Sequence, residues 1–125
     1  MSELDDLILA EGWWGSVQYA VRSSGKSEAK SWFEKQKPKV QSQFDHLFRR
    51  IAQTGLISNK ELFRKLKDGI FEFKRGGNRI ACFRVENTWF LTHRFPKASD
   101  KNLPKQISRA RNIMHEHMER NKNEP

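Results

Sequence analysis

The chain has 125 residues, with 24 Lys and Arg against 15 Asp and Glu, for a net charge of +9. Its length predicts one domain, and 36% hydrophobic residues, including nine Phe and four Trp, suffice for a modest core and exclude a wholly disordered chain. The single cysteine, Cys82, excludes a disulfide framework and a cysteine-rich zinc site, and no apolar run approaches the roughly 18 residues of a membrane span.

Residues 1–12 form an acidic extension: Glu3, Asp5, Asp6 and Glu11 give it −4, leaving +13 for the remainder. Such a start fits neither a secretory signal nor a transit peptide, and a reduced, cytoplasmic setting is expected. The basic remainder points to a polyanionic partner, nucleic acid first, against the plain alternative of a soluble protein that is simply basic. Leu4, Leu7 and Ile8 could form one amphipathic turn. Val17, Tyr19 and Val21 alternate with polar or small neighbours, which predicts a strand. A helix is expected over residues 27–36 with Ser27 as N-cap, although Lys30 breaks the capping-box pattern. Pro38 opens a second helix over 39–54, where Val40, Phe44, Leu47, Phe48 and Ile51 share one face and Gly55 is the stop. Residues 58–66 read as a shorter helical piece with Leu62, Phe63 and Leu66 on one side. Asp68-Gly69 turns into a strand over 70–75. Gly76-Gly77-Asn78 is a hairpin turn, followed by strands over 79–86 and 89–95 joined at Asn87-Thr88. Both faces of the middle strand carry apolar residues, so both should be at least partly covered. A last helix is expected over 103–118, with Leu103, Ile107, Ala110, Met114 and His117 on one stripe and residues 119–125 as a frayed tail. The sum is a small α+β domain: a twisted antiparallel sheet of an N-terminal strand plus a three-strand meander, with two N-terminal helices and a C-terminal helix.

Four segments in order resemble phage-related, Gp49-like toxins of the RelE/HigB type. Leu66-Lys67-Asp68-Gly69-Ile70-Phe71-Glu72-Phe73 is similar to their "LKdGlwElR", Asn78-Arg79-Ile80 to "yRv", and Leu91 through Ser99 to "lLhaFxKKs". Leu103-Pro104 with Ile107 and Ala110 is similar to the helix start "tPxxeixxA". The resemblance covers about residues 60–115. It implies the RelE/ParE-like fold and the toxin of a type II toxin–antitoxin pair. Many such toxins are metal-independent, cofactor-free endoribonucleases that cut mRNA on the ribosome. It also implies an acidic, DNA-binding antitoxin as partner. A ParE-like branch inhibits DNA gyrase without cutting, and a phage RNA-binding accessory protein without toxicity is a third possibility. The chain departs from the pattern in three places. Ala98 replaces the second basic residue of "FxKKs", Lys74 and Arg75 are offset from the arginine of "wElR", and the only tyrosine is Tyr19 rather than a C-terminal one.

Metal-free RNA cleavage needs a proton acceptor for the 2′-OH, cations for the phosphorane and a proton donor for the 5′-oxygen. Arg79, Lys97, Lys74 and Arg94 stand at or near the ends of adjacent predicted strands and could form a phosphate cradle, with Arg79 the first candidate. Solvated sheet-edge cations are the plain alternative. His93 is the titratable candidate, although alternation groups it with Trp89, Leu91 and Phe95 as a half-buried residue. Asp100 could reach an open site from its loop. Lys101, Lys105 and Arg109 make an i, i+4, i+8 row that could track RNA together with Arg75, or could be the wet side of an amphipathic helix. Trp13, Trp14 and Trp32 could be stacking platforms or core. His115 and His117 fall on different helix faces and His46 is remote, so no metal site is expected.

Overall fold

The computed structural model describes residues 6–97 and 101–122. The elements are β1 (Ile8–Glu11), β2 (Ser16–Tyr19), α1 (Glu28–Phe33), α2 (Pro38–Thr54), β3 (Phe63–Lys65), β4 (Phe71–Arg75), β5 (Asn78–Val85), β6 (Thr88–Pro96) and α3 (Leu103–Lys122). They build an α+β fold around one six-stranded sheet of order β1-β2-β6-β5-β4-β3.

The meander is as expected, but the sheet is larger and mixed. β2 pairs in parallel with β6, Ser16 opposite Thr88 through Tyr19 opposite Leu91. The chain between them includes α1 and α2, long enough for the crossover that a parallel pair requires. Of the expected amphipathic turn, Leu4 lies outside the described residues, Leu7 is helical and Ile8 opens β1, which joins β2 antiparallel through a register shift between Ile8 and Ala10. The helical reading of 58–66 is overturned: Phe63–Lys65 is an edge strand paired with β4. The Asn59 side chain accepts the Glu61 N–H at 2.9 Å, and its carbonyl accepts from Leu62 and Phe63. That local turn ends helical geometry before it can propagate. Phe63 then stacks on Phe71 at 5.5 Å and meets Trp89 edge-on at 5.1 Å.

Two helical layers sandwich the sheet. α2 starts at Pro38 and ends at Gly55, whose φ of +84° suits a glycine cap. It buries Phe44, Leu47, Phe48 and Ile51 against Phe73, Ile80, Cys82, Trp89 and Leu91. α1 is shorter than expected; Ser27 caps it by accepting the Lys30 N–H at 3.2 Å. On the other face α3, which runs four residues past the expected end at Met118, buries Ile107, Ala110 and Ile113 against Ile70, Ala81, Phe83 and Phe95. β5 is therefore covered on both sides, as its apolar character predicted. An ion-pair chain ties the layers: Glu28 of α1 binds Arg22 and Arg109, and Arg22 also binds Glu116 of α3.

The β5–β6 pairing contains an irregularity. Ala81 faces His93 but Cys82 faces Leu91, so Thr92 is an extra residue, and its hydroxyl donates to the Ala81 carbonyl at 3.1 Å. Alternation resets there. Trp89 and Leu91 face α2, whereas Phe95 faces α3 and His93 bonds Gln106 of α3. The expectation that His93 shares a face with Trp89 and Leu91 fails for this reason.

The β1–β2 tip is pinned by contact with two other elements. The Trp14 and Gly15 N–H groups both donate to the Ala52 carbonyl at 3.0 Å, and the Asn87 amide donates to the Trp14 carbonyl at 2.6 Å. A Cβ on Gly15 would lie 1.8 Å from the Asn87 carbonyl oxygen. Gly15→Ala should therefore cost about 1–3 kcal/mol, read as a lower urea midpoint. An unchanged midpoint would show that the tip is not held this closely.

Candidate nucleic-acid interface

Strand register sorts the candidate cations onto two faces. β4 alternates Glu72 and Lys74 on the α3 side with Phe71, Phe73 and Arg75 on the α1–α2 side, because Phe73 belongs to the α2 core. Arg64 pairs with Glu72 and Arg79 with Lys74, which places all four side chains together on the α3 side of the β3–β5 edge. Arg94 pairs with Ile80, a residue of the α2 core, so it lies on the opposite side.

The centre of the α3-side group is Glu72, only 1% exposed. Arg64 donates to it from Nε at 2.8 Å with Nη2 2.7 Å from the same oxygen, and Arg79 Nε stands 3.8 Å away. Burial of that carboxylate is tolerable only because cations surround it. Arg79 is itself mostly buried, and its Nη1 donates to the carbonyls of Gly76 (2.9 Å) and Asn78 (3.0 Å). This guanidinium therefore rests against the turn carbonyls and Glu72. Lys74 donates to the Lys60 carbonyl at 3.2 Å. Burial, and after it the Arg64 charge, lower the Lys74 pKa from its ordinary value; Glu72 opposes the shift and Arg79 adds to it. Arg64 and Arg79 thus pair with one buried carboxylate, and Lys74 stands on the same face beside them, a cationic arrangement able to take a phosphodiester. Arg64 and Glu72 went unnoticed in sequence. Arg64 fell in a stretch read as helix, and Glu72 looked like an ordinary solvent-facing alternate.

The other candidates spread around this group. Lys97 is exposed, and its N–H donates to the Gly77 carbonyl at 2.8 Å, which brings it to the turn that precedes Arg79. Gly76, at φ +55°, supplies the left-handed residue that such a tight turn needs. Lys101 and Lys105 are exposed beside the start of α3, while Arg109 is engaged by Glu28. Arg111 reaches the β3–β4 edge instead, donating to the Asp68 carbonyl at 2.9 Å. Asp100 and Ala98 lie outside the described residues. Arg75 and Arg94 are on the far face. Tyr19 is buried in the α2-side core, where burial, then Glu34 and Asp45, push its phenol pKa up. Among the described residues no group of three His, Cys, Asp or Glu could hold a metal ion, and no helix is long and apolar enough to cross a membrane.

A family profile described as phage derived protein Gp49-like (DUF891) matches residues 31–115. The chain belongs to the Gp49-like family. That family falls within the toxin group of toxin–antitoxin systems, and a toxin of that group has an antitoxin as partner. No curated protein matches the chain. The match in this Gp49-like protein runs from α1 to α3 and includes every residue of the Glu72 group, but not β1 or β2.

His93 sits between Thr92 Oγ1 at 3.2 Å and Gln106 Oε1 at 3.0 Å and is 1% exposed. Burial lowers its pKa from 6.5 to about 4, against a smaller opposing effect of the Gln106 hydrogen bond. It is neutral at pH 7 and closed off from a substrate. Above pH 6.5 both the folded and unfolded chains hold this imidazole neutral. As the pH falls from 6.5 towards 4, only the unfolded chain gains the proton, so stability declines. The loss should approach about 3 kcal/mol near pH 4. Urea midpoints between pH 7 and 5 should fall for the natural chain and fall less for His93→Gln. Parallel pH profiles would contradict a buried neutral His93.

Proposed function

We propose that this chain is the toxin of a type II pair and a metal-independent, ribosome-dependent endoribonuclease that cuts mRNA in the cytoplasm. The observation that carries the reading is the pairing of Arg64 and Arg79 with buried Glu72, with Lys74 on the same face, beside the open edge of the sheet. In this reaction the 2′-oxygen attacks phosphorus and the 5′-oxygen leaves, giving a 2′,3′-cyclic phosphate and a 5′-hydroxyl. Lys74 can accept the 2′-OH proton only as the neutral amine, the form that burial and the Arg64 charge favour. Arg79, backed by Arg64, stabilises the charge that develops on phosphorus. Lys97, exposed at the turn, supplies a further cation and a proton source for the departing 5′-oxygen. Lys101 and Lys105 extend the basic surface along the RNA. His93 has no part in the proton transfers, because it is buried and its ring nitrogens are engaged. The antitoxin is expected to be acidic and DNA-binding, covering these cations.

One observation favours the ParE-like alternative of gyrase inhibition: Arg79 is already paired with Glu72 and holds two turn carbonyls. Induced expression followed by mapping of mRNA 5′ ends separates the two. The nuclease reading expects translation-dependent cuts within coding sequences. Intact mRNA with a DNA-damage response overturns it. Arg79→Ala should lower cleavage about 10²–10³-fold, the effect of losing one charge stabiliser. Because this arginine also holds the turn, it should cost about 1–2 kcal/mol of stability as well. Arg84→Ala, exposed on the opposite face over Trp14, should cleave normally. Equal cleavage by folded Arg79→Ala would remove that residue from the mechanism.

A further inference from the structure

The arginines differ in how fully the protein neutralises them. Arg22 and Arg109 are matched by Glu28 and Glu116, and Arg64 and Arg79 by Glu72. Among the described residues, Arg75 and Arg94 are in no ion pair with a carboxylate, as is also true of Arg49, Arg50, Arg84, Arg111 and Arg120; what sets Arg75 and Arg94 apart is where they stand. Both stand on the α1–α2 side of the sheet, at the end where the Gly76-Gly77 turn joins β4 to β5. Arg75 pairs with Asn78 there, and Arg94 lies two strands from Arg75, roughly 10 Å across the sheet.

Arg94 is held in a preset orientation. Its Nε and Nη2 both donate to Asn78 Oδ1, at 2.9 and 2.8 Å, and its guanidinium carbon lies 5.5 Å from the Trp32 ring centroid. Trp32 is in turn fixed edge-on against Phe44, with ring centroids 6.2 Å apart. One edge and one face of the guanidinium are thus committed to positioning. Nη1 has no partner among the described residues. A planar cation fixed in this way gives up little freedom when it binds an anion. The Trp32 ring that Arg94 covers also lines a shallow groove of about 440 Å³, together with Lys26, Ser31 and Lys35 of the α1 segment. The groove's carboxylate, Glu28, is already bonded to Arg22 and Arg109. Cations next to a partly exposed indole match a phosphodiester joined to a flat base. An acidic peptide would satisfy the cations and leave the indole without a role.

We propose that the α1–α2 side of the sheet is a second, non-catalytic RNA site, which holds a single-stranded backbone on Arg94 and Arg75 with a base against Trp32. It is separated from the Glu72 group by the sheet itself, and the two meet only at the glycine turn. A Cβ on either turn glycine would meet nothing within 4 Å, so the turn presents a low saddle between the faces. RNA binding here does not depend on cleavage by the other face.

The test is fluorescence anisotropy with a labelled twelve-nucleotide, mixed-sequence 2′-O-methyl RNA. It cannot be cut through its 2′ position, so binding is read without chemistry. Affinity is measured from low to moderate salt for the full chain and for Arg94→Gln, Arg75→Gln and Trp32→Leu, each checked for folding by circular dichroism. Each arginine substitution should weaken binding several-fold and reduce the salt slope by about 0.7, the value for one contact to a single strand. Trp32→Leu should weaken binding about 5- to 100-fold. Arg75 makes no side-chain hydrogen bond among the described residues, so its substitution keeps the test valid if the Trp32 or Arg94 variant does not fold. Unchanged affinity and slope in folded Arg75→Gln and Arg94→Gln overturn the proposal. Equal weakening for a labelled oligoglutamate of matched charge also overturns it, in favour of a peptide site. RNA binding that depends on Arg94 in a protein that cuts no mRNA upholds this site and removes only the nuclease reading.

Discussion

The extra residue at Thr92 decides which side chains share a face. Without it, strict alternation would carry His93 and Phe95 to the α2 side and bring Arg94 beside Arg79. The bulge exchanges them: Phe95 completes the core under α3, His93 becomes an internal hydrogen-bonding residue, and Arg94 passes to Trp32. The Thr92 hydroxyl stabilises the irregularity by bonding the Ala81 carbonyl. One inserted residue in the longest strand therefore divides the cations at this end of the sheet into two groups with different neighbours.

The two groups are held by different physics. On the α3 side a buried carboxylate gathers Arg64 and Arg79, and the cost of desolvating Glu72 is offset only while they remain. Charge there serves the fold and, in the toxin reading, the chemistry. On the other side Arg94 is oriented by an amide oxygen and an aromatic face, neither of which cancels its charge. A cation oriented without being neutralised remains available to an outside anion. A neutralised one must exchange partners first.

Much of the frame was legible from periodicity. α2, β4, β5 and β6 follow patterns of 3.6 or 2 closely, with Gly55 and the Gly76-Gly77 pair marking the stops. β3 was not legible, since Leu62, Phe63 and Leu66 fit a helical stripe and only the Asn59 turn and the aromatic contacts of Phe63 select a strand. β1 was obscured because Ile8 through Glu11 is too short and irregular to show alternation. At the candidate site, the juxtaposition of Arg79 and Lys74 was legible because they fall on neighbouring strands of the meander. Glu72 was missed because a glutamate between two phenylalanines has the same pattern whether it faces water or cations. Nothing at Thr92 distinguishes a bulge from an ordinary strand residue, so the division between Arg79 and Arg94 required coordinates.

The four tryptophans occupy graded environments. Trp89 is 1% exposed and donates to the Gly55 carbonyl, Trp14 and Trp32 are half-buried beneath arginines, and Trp13 is 94% exposed at the tip pinned to α2. The chain consequently contains its own set of optical reporters. Iodide should reach the Trp13 indole readily, and Trp89 should emit from an apolar surrounding at shorter wavelength. With Trp13 changed to phenylalanine, the quenchable emission that remains comes chiefly from the two indoles beneath arginines. Events at either end of the sheet can then be followed in the unlabelled protein.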